Sequence, residues 1–345
     1  MALFHRPLPR TLPAALRDIE DKKIEVRRSA VQDLARYTDS QSPEVLAALQ
    51  KALRDTDPVV RTDAAYALGD AKAVDALAAL MVAMDDAQTA VRQAAIDALG
   101  QIGDRRATAR LLRATEDERP DVRFQALIAL ARVSREDGVE AVLRGARDPD
   151  AHVRYISVRL VEELFASPEG TSGPEVTLDD RFRTAAEGWL RDEDATVRVA
   201  AGILLARAGD GRGSDMLVDV LEDRVSVAPE DEEAAVLLAG SMGIQAAVPA
   251  LERRAFGLRK LVRDRHAWQS LVSLAALGHE RARKAILRDL DAWSRERRTQ
   301  GVVAAGRARM SEARPVIERM MGDETKADPA AVQDALELLG AARPA

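Results

Sequence analysis

The side chains that ordinarily carry acid–base or metal chemistry are scarce in this sequence. There is no cysteine, which excludes disulfides, thiolate metal sites and thiol nucleophiles. The four histidines, His5, His152, His266 and His279, form no spaced cluster. His152 stands just before Val153-Arg154, near Asp148 and Asp150, with no second histidine to match it. His279 is followed by Glu280, a pairing that reads as a turn histidine beside a glutamate starting a helix. No glycine-rich phosphate loop, nucleophile elbow or zinc spacing occurs. The expectation is a chain with no catalytic residues, no metal and no cofactor.

The chemistry that does recur is ionic. Val-Arg followed by a small residue three positions after the arginine appears around Arg27, Arg61, Arg92, Arg123, Arg154 and Arg198, at separations of 34, 31, 31, 31 and 44 residues. Each arginine has an aspartate six positions earlier: Asp21, Asp55, Asp86, Asp117, Asp148 and Asp192. An aspartate in the turn before a helix satisfies free backbone amides and suits the positive helix end. The arginine then lies one turn inside. If such units stack, the two charges form parallel ladders able to bridge neighbours. Binding of an anion by the arginine column is the competing reading, and the strict aspartate partner favours the structural ladder.

Helices must position these residues. At about 100° per residue, Val60, Ala64, Ala67 and Leu68 share a face, as do Val91, Ala95, Ala98 and Leu99. In the first copy Asp33 is the lone polar member of that face. Glycine turns such as Gly100-Gln101-Ile102-Gly103-Asp104 follow, and then a second helix. One repeat is a helical hairpin that cannot bury its apolar face alone. Among 345 residues only 3% are aromatic, against 47% hydrophobic and 31% charged. That composition excludes wholesale disorder and a large aromatic-filled core. The net charge of -6 argues against a general nucleic-acid binder, and no apolar run reaches the ~18 residues of a membrane span. Met1 to Pro13 lacks the apolar core of a signal peptide, so the expected location is cytoplasmic.

The segments Asp57-Pro58-Val59-Val60-Arg61…Ala64…Ala67-Leu68-Gly69 and Ala90-Val91-Arg92…Ala95…Ala98-Leu99-Gly100 resemble the HEAT-repeat family, particularly its short variant named after phycobilisome lyases. The resemblance is strong from about residue 14 to 210 and implies an all-α superhelix, an α-solenoid of about ten helical hairpins. Beyond it, Glu232 and Ala267 stand at arginine positions, while Arg298 and Val332 mark two later copies. The expected organisation is an extended arm over residues 1–13, repeats 1–5 over 14–166 and an inserted loop over 167–178. Repeats 6–10 then occupy 179–342, divergent after about 221 and stacked on the first set. HEAT-like hydroxylases bind iron through several His-Glu dyads, whereas this sequence has one. Phycobilin-lyase-like activity rests on the family name alone.

In this family the Val-Arg helix resembles the one lining the concave surface. The positions one and five after each arginine then form an outward column: Arg28 and Gln32, Thr62 and Tyr66, Gln93 and Asp97, Phe124 and Ile128, Tyr155 and Arg159, Val199 and Ile203. Tyr66, Phe124, Ile128, Tyr155 and Arg159 are the expected anchors for another protein. A second candidate is the basic stretch 251–319, with 17 Lys/Arg against 8 Asp/Glu. Its densest part, Arg253, Arg254, Arg259, Lys260 and Arg263, is the expected contact for an anionic partner, nucleic acid included. The favoured reading is a non-enzymatic protein-binding scaffold or adaptor.

Overall fold

A computed structural model describes residues 10–40, 42–167, 176–257 and 264–340, with Asp39 and Ser40 by backbone alone. Regular structure among them is helical apart from one isolated antiparallel bridge, Ala166 with Val176. The chain divides into two units, Met1–Leu164 and Phe165–Ala345.

The first unit holds five helical pairs. They are α1 (Leu12–Asp18) with α2 (Ile24–Leu34), α3 (Pro43–Ala52) with α4 (Pro58–Asp70), α5 (Leu77–Ala83) with α6 (Thr89–Ile102), α7 (Thr108–Ala114) with α8 (Pro120–Val133), and α9 (Arg135–Gly145) with α10 (Ala151–Phe165). The even-numbered helices carry the Val-Arg motif, and α2, α4, α6 and α8 pack one upon the next. Their apolar face is fully closed: Val60, Ala64, Leu68, Val91, Ala95 and Leu99 have no exposed surface. Small residues set the spacing. A Cβ on Gly69 would lie 2.7 Å from the Cα of Ala98, and one on Gly100 would lie 2.9 Å from that of Ala129. Helices this close need no aromatic filler, which accounts for the 3% aromatic content.

The Asp–Arg ladder forms between neighbours. Arg27 donates two bonds to Asp55, at 2.6 and 2.7 Å, and Arg61 donates two to Asp86, at 2.7 and 2.8 Å. Arg123 does the same to Asp148, at 2.7 and 2.6 Å. Each guanidinium also holds a carbonyl of its own turn, as Arg61 holds Asp55 O at 2.7 Å. Arg92 is the loose rung, 3.9 Å from Asp117. The ladder aspartates do not cap the helices directly. Asp55 accepts from the Asp57 amide at 2.8 Å, and Asp57 is the residue that caps α4, accepting from Val59 and Val60. One carboxylate shapes the turn and the other starts the helix.

Burial pushes the Asp55 and Asp86 carboxyls up, but the bonds from Arg27 and Arg61 and from backbone amides outweigh it, and both sit below the usual carboxylate range. Their contribution to stability is therefore present above the unfolded value of about 3.9 and is lost as pH falls through the lower folded value. Urea unfolding of the wild type should weaken steeply below about pH 4. The Asp55→Asn/Asp86→Asn variant should start lower and decline less. Equal slopes for the two proteins would show that the ladder carries no such linkage.

Asp33, the polar exception on the first helix face, is 7% exposed and is met by Arg10, whose Nη1 donates to it at 2.9 Å. Arg10 also donates to Asp18 at 2.9 Å. Helix begins at Leu12, so the expected extended arm does not run to residue 13; residues 1–9 lie outside the described residues.

The second unit holds α11 (Asp180–Trp189) with α12 (Ala195–Arg207), α13 (Ser214–Leu221) with α14 (Pro229–Ser241), α15 (Val248–Phe256) with α16 (Ala267–Ala276), α17 (Glu280–Leu290) with α18 (Arg295–Arg307), and α19 (Arg314–Glu318) with α20 (Pro329–Gly340). Of the inserted loop, residues 168–175 lie outside the described residues. Its last residues are packed: Val176 and Leu178 are buried, and the Thr177 amide donates to Phe165 O at 3.0 Å. Beneath them Phe165, Phe182 and Trp189 form a local aromatic cluster, with the first two rings edge to face at 4.9 Å. Arg298 keeps the ladder's form with other acceptors, bonding Ala292 O and Trp293 O of its own turn and Thr325 O and Lys326 O of the next.

Candidate functional site

On the exposed side of the Val-Arg helices in the first unit, outward side chains come from positions one, five and nine after the arginine, and in α4 from position two as well. Across α4 and α6 these supply Asp63, Tyr66, Asp70 and Asp97; across α8 and α10 they supply Phe124, Ile128, Tyr155 and Arg159. Tyr66 is 43% exposed, and Phe124, Ile128 and Tyr155 are half-buried. The Phe124 ring stacks on His152 at 4.6 Å with 8° between planes, and His152 lies near-parallel to Tyr155 at 6.4 Å. His152 is exposed and belongs to the first turn of α10, so three rings from two helices make one continuous plate. Arg159 pairs with Glu162 at 3.1 Å.

The neighbouring helices make a polar surface. Asp97 accepts from Gln101 and Gln125, both at 2.9 Å, and Asp63 accepts from Arg28 at 3.2 Å and Gln32 at 3.1 Å. The Tyr66 hydroxyl is pushed above its ordinary range by burial first, then by the carboxylates of Asp97 and Asp63. The sequence reading singled out Tyr66, Phe124 and Tyr155 on this face, left out His152 and Asp63, and gave Asp97 no role. The missed signal was the position of His152 one turn before Tyr155, which brings the two rings to the same face.

Two expectations are corrected. Val199 and Ile203, which continue the outward column, have no exposed surface. Their helix α12 packs against α14, and both side chains join the apolar cluster that contains Val236 and Ala239. Arg254, expected to meet an anionic partner, has a side chain only 7% exposed that is already paired with Glu232, with Asp223 at 2.8 Å and with Asp264 at 3.6 Å. Arg253 is exposed on α15, and Arg259, Lys260 and Arg263 lie outside the described residues.

Much of the remaining basic stretch is paired within its own unit: Arg265 with Glu232 at 2.8 Å, Arg283 with Glu312 at 2.5 Å and Arg297 with Asp289 at 2.9 Å. His279 caps α17, accepting from the Ala282 amide, and its Nε2 meets Glu252 at 2.7 Å, while Glu280 pairs with Lys284. Among the described residues no group of three or more His, Asp or Glu side chains is placed to hold a metal ion, and no helix is long and apolar enough to cross a membrane.

Stacked helical pairs with a repeating inter-pair ladder define an α-solenoid. Residues 9–90 and 81–162 match the family model for HEAT repeats, so the pairs of the first unit are HEAT repeats. No curated protein matches the chain by sequence. Among solved structures, importin beta is similar at 14% identity and a TM-score of 0.54, over 95% of this chain and 52% of that one. The Escherichia coli protein YibA is similar at 16% identity and a TM-score of 0.52, over 78% of this chain and 92% of that one. The phycocyanin lyase complex CpcE–CpcF from Nostoc sp. PCC7120 matches at 17% identity and a TM-score of 0.43, over 73% and 96%. At these identities the likeness to importin beta and YibA is one of fold.

Proposed function

We propose that this chain is a non-enzymatic scaffold that binds a segment of another protein on the Val-Arg face of its first unit. The observation that carries the reading is the partly exposed plate of Phe124, His152 and Tyr155, flanked by Ile128, in a chain that is only 3% aromatic. Rigid aromatic rings in a partly desolvated setting are the usual energetic centre of a protein interface. The alternative, polyanion binding through residues 251–319, is weakened by the internal pairing of Arg254, Arg265, Arg283 and Arg297.

Phe124→Ala/Tyr155→Ala should reduce recovery of the bound protein at least about tenfold in quantitative affinity capture. Both side chains are partly solvent-facing, so the melting temperature should move by only a few degrees. Unchanged recovery would sink the reading.

A further inference from the structure

Resting on that reading, we infer that the segment bound on this face is cationic and extended in polyproline-II form, with basic residues three apart over α4 and α6 and apolar residues over α8 and α10. Charge sets the first half. Asp63, Asp70 and Asp97 follow one another across two helices, and the outward positions of those helices carry no cation. Arg28 stands on the helix before them, and Arg132 and Arg159 on the two after. Asp63 is partly neutralised by Arg28, but the donors to Asp97 are the neutral amides of Gln101 and Gln125, so its charge stays uncompensated on the face. Tyr66 lies beside these carboxylates with 43% of its surface exposed, a ring on which a guanidinium or ammonium stacks favourably. Apolar side chains fit better over the next two helices, where the plate of Phe124, His152 and Tyr155 replaces the carboxylates.

Spacing sets the conformation. Packed helices lie about 8–10 Å apart. A polyproline-II segment completes a turn every three residues and advances about 9 Å in doing so. Every third side chain of such a segment therefore returns to the same side, one helix further along. A β-strand would turn alternate third residues away. The recognised pattern is a basic residue, two spacers, a basic residue, two spacers, then apolar residues at the same interval.

The test is a fluorescence anisotropy titration of the full chain. The probe is a fluorescein-labelled peptide with arginine at its second and fifth residues, leucine at the eighth and phenylalanine at the eleventh, with proline and serine between; the same peptide in reversed order covers the other chain direction. One of the two should bind, with affinity falling as salt is raised. Glutamate in place of both arginines should weaken binding by about tenfold or more, and Asp97→Asn should do the same while flattening the salt dependence. A peptide of equal composition with its key residues two apart should bind several-fold less well. Equal binding of the glutamate peptide, no effect of Asp97→Asn, or no measurable binding by either triplet peptide would overturn the inference. If Phe124→Ala abolishes binding of peptides regardless of charge, the face is a docking site and only the cationic partner is wrong. If neither Phe124→Ala nor Asp97→Asn changes binding of any peptide, the face itself is excluded.

Discussion

Glu232→Arg, which restores the residue that the repeat pattern places there, should destabilise the second unit by about 4 kcal/mol. In α14 Glu232 stands where Arg61 stands in α4, three residues after an initial proline. The ladder is inverted at this point. Glu232 accepts from Arg254, takes a second bond from Arg265 at 2.8 Å and lies 3.5 Å from His266 Nε2. The side chains of Glu232 and Arg254 are 16% and 7% exposed, so both charges are largely shielded from water. An arginine at position 232 would set three cations together and leave only Asp264 and the largely exposed Asp223 opposite. Breaking a buried pair in this way costs roughly 3–5 kcal/mol, while Glu232→Gln keeps an acceptor and should cost about half.

Burial pushes the Glu232 carboxyl up, but Arg254 and then His266 and Arg265 pull it below the ordinary glutamate range. The stabilisation is thus present above the unfolded value of about 4.3 and is lost as pH falls through the lower folded value. The gap between wild type and Glu232→Arg should narrow accordingly below about pH 4. Urea unfolding at pH 7 and pH 3 checks both parts, and Arg254→Glu added to Glu232→Arg should recover much of the loss. A Glu232→Arg protein as stable as the wild type would mean the buried pair contributes nothing.

Regular contacts were legible in the sequence and irregular ones were not. The Asp–Arg ladder could be read because one contact recurs at a nearly constant offset, and stacking turns that periodicity into distance. The 31-residue repeat predicts ladders that bridge neighbouring units, and the pairing of Arg123 with Asp148 is one such rung. Arg254 and Glu232 follow no repeat, since one lies late in α15 and the other early in α14, and nothing in their spacing distinguishes them from any two charges. The same limit governs the face. Phe124 and Val199 occupy equivalent positions after their arginines, yet one is half-exposed and the other fully buried. Whether an outward position stays open depends on how the next helix sits, which a helical wheel does not contain. His152 was visible as a residue, but its stack on Phe124 joins two helices at an offset unrelated to the ladder. Asp33 shows the reverse case: a polar residue on an apolar face was a readable anomaly, and its partner, Arg10, lay in the segment read as an extended arm.

The close approach of α6 and α8 sets one glycine substitution against another. Gly100 lies inside α6, and helix propensity alone gives Gly100→Ala a gain of about 1 kcal/mol. The new Cβ would sit 2.9 Å from both Cα and Cβ of Ala129, and a backbone atom cannot yield as a flexible side chain can. Overpacking of this kind costs about 1–3 kcal/mol, so Gly100→Ala should be destabilising on balance and Gly100→Val by about 3 kcal/mol or more. Gly188 provides the opposite sign. It lies in α11, is exposed and has no neighbouring atom within 4 Å of where an alanine methyl would stand, so Gly188→Ala should stabilise by about 0.5–1 kcal/mol. The consequence of Gly100→Val extends to the proposed site. Separating α6 from α8 would stretch the 2.9 Å bond from Gln125 to Asp97 and move the Phe124 plate away from the carboxylates. A partner that spans both helices should therefore lose affinity along with the loss of stability, whereas Gly188→Ala should leave binding untouched. Urea midpoints and peptide titrations on the three variants measure this directly. A Gly100→Ala protein more stable than the wild type would mean that the two helices can part without cost, and that small-residue packing does not fix the geometry of the face.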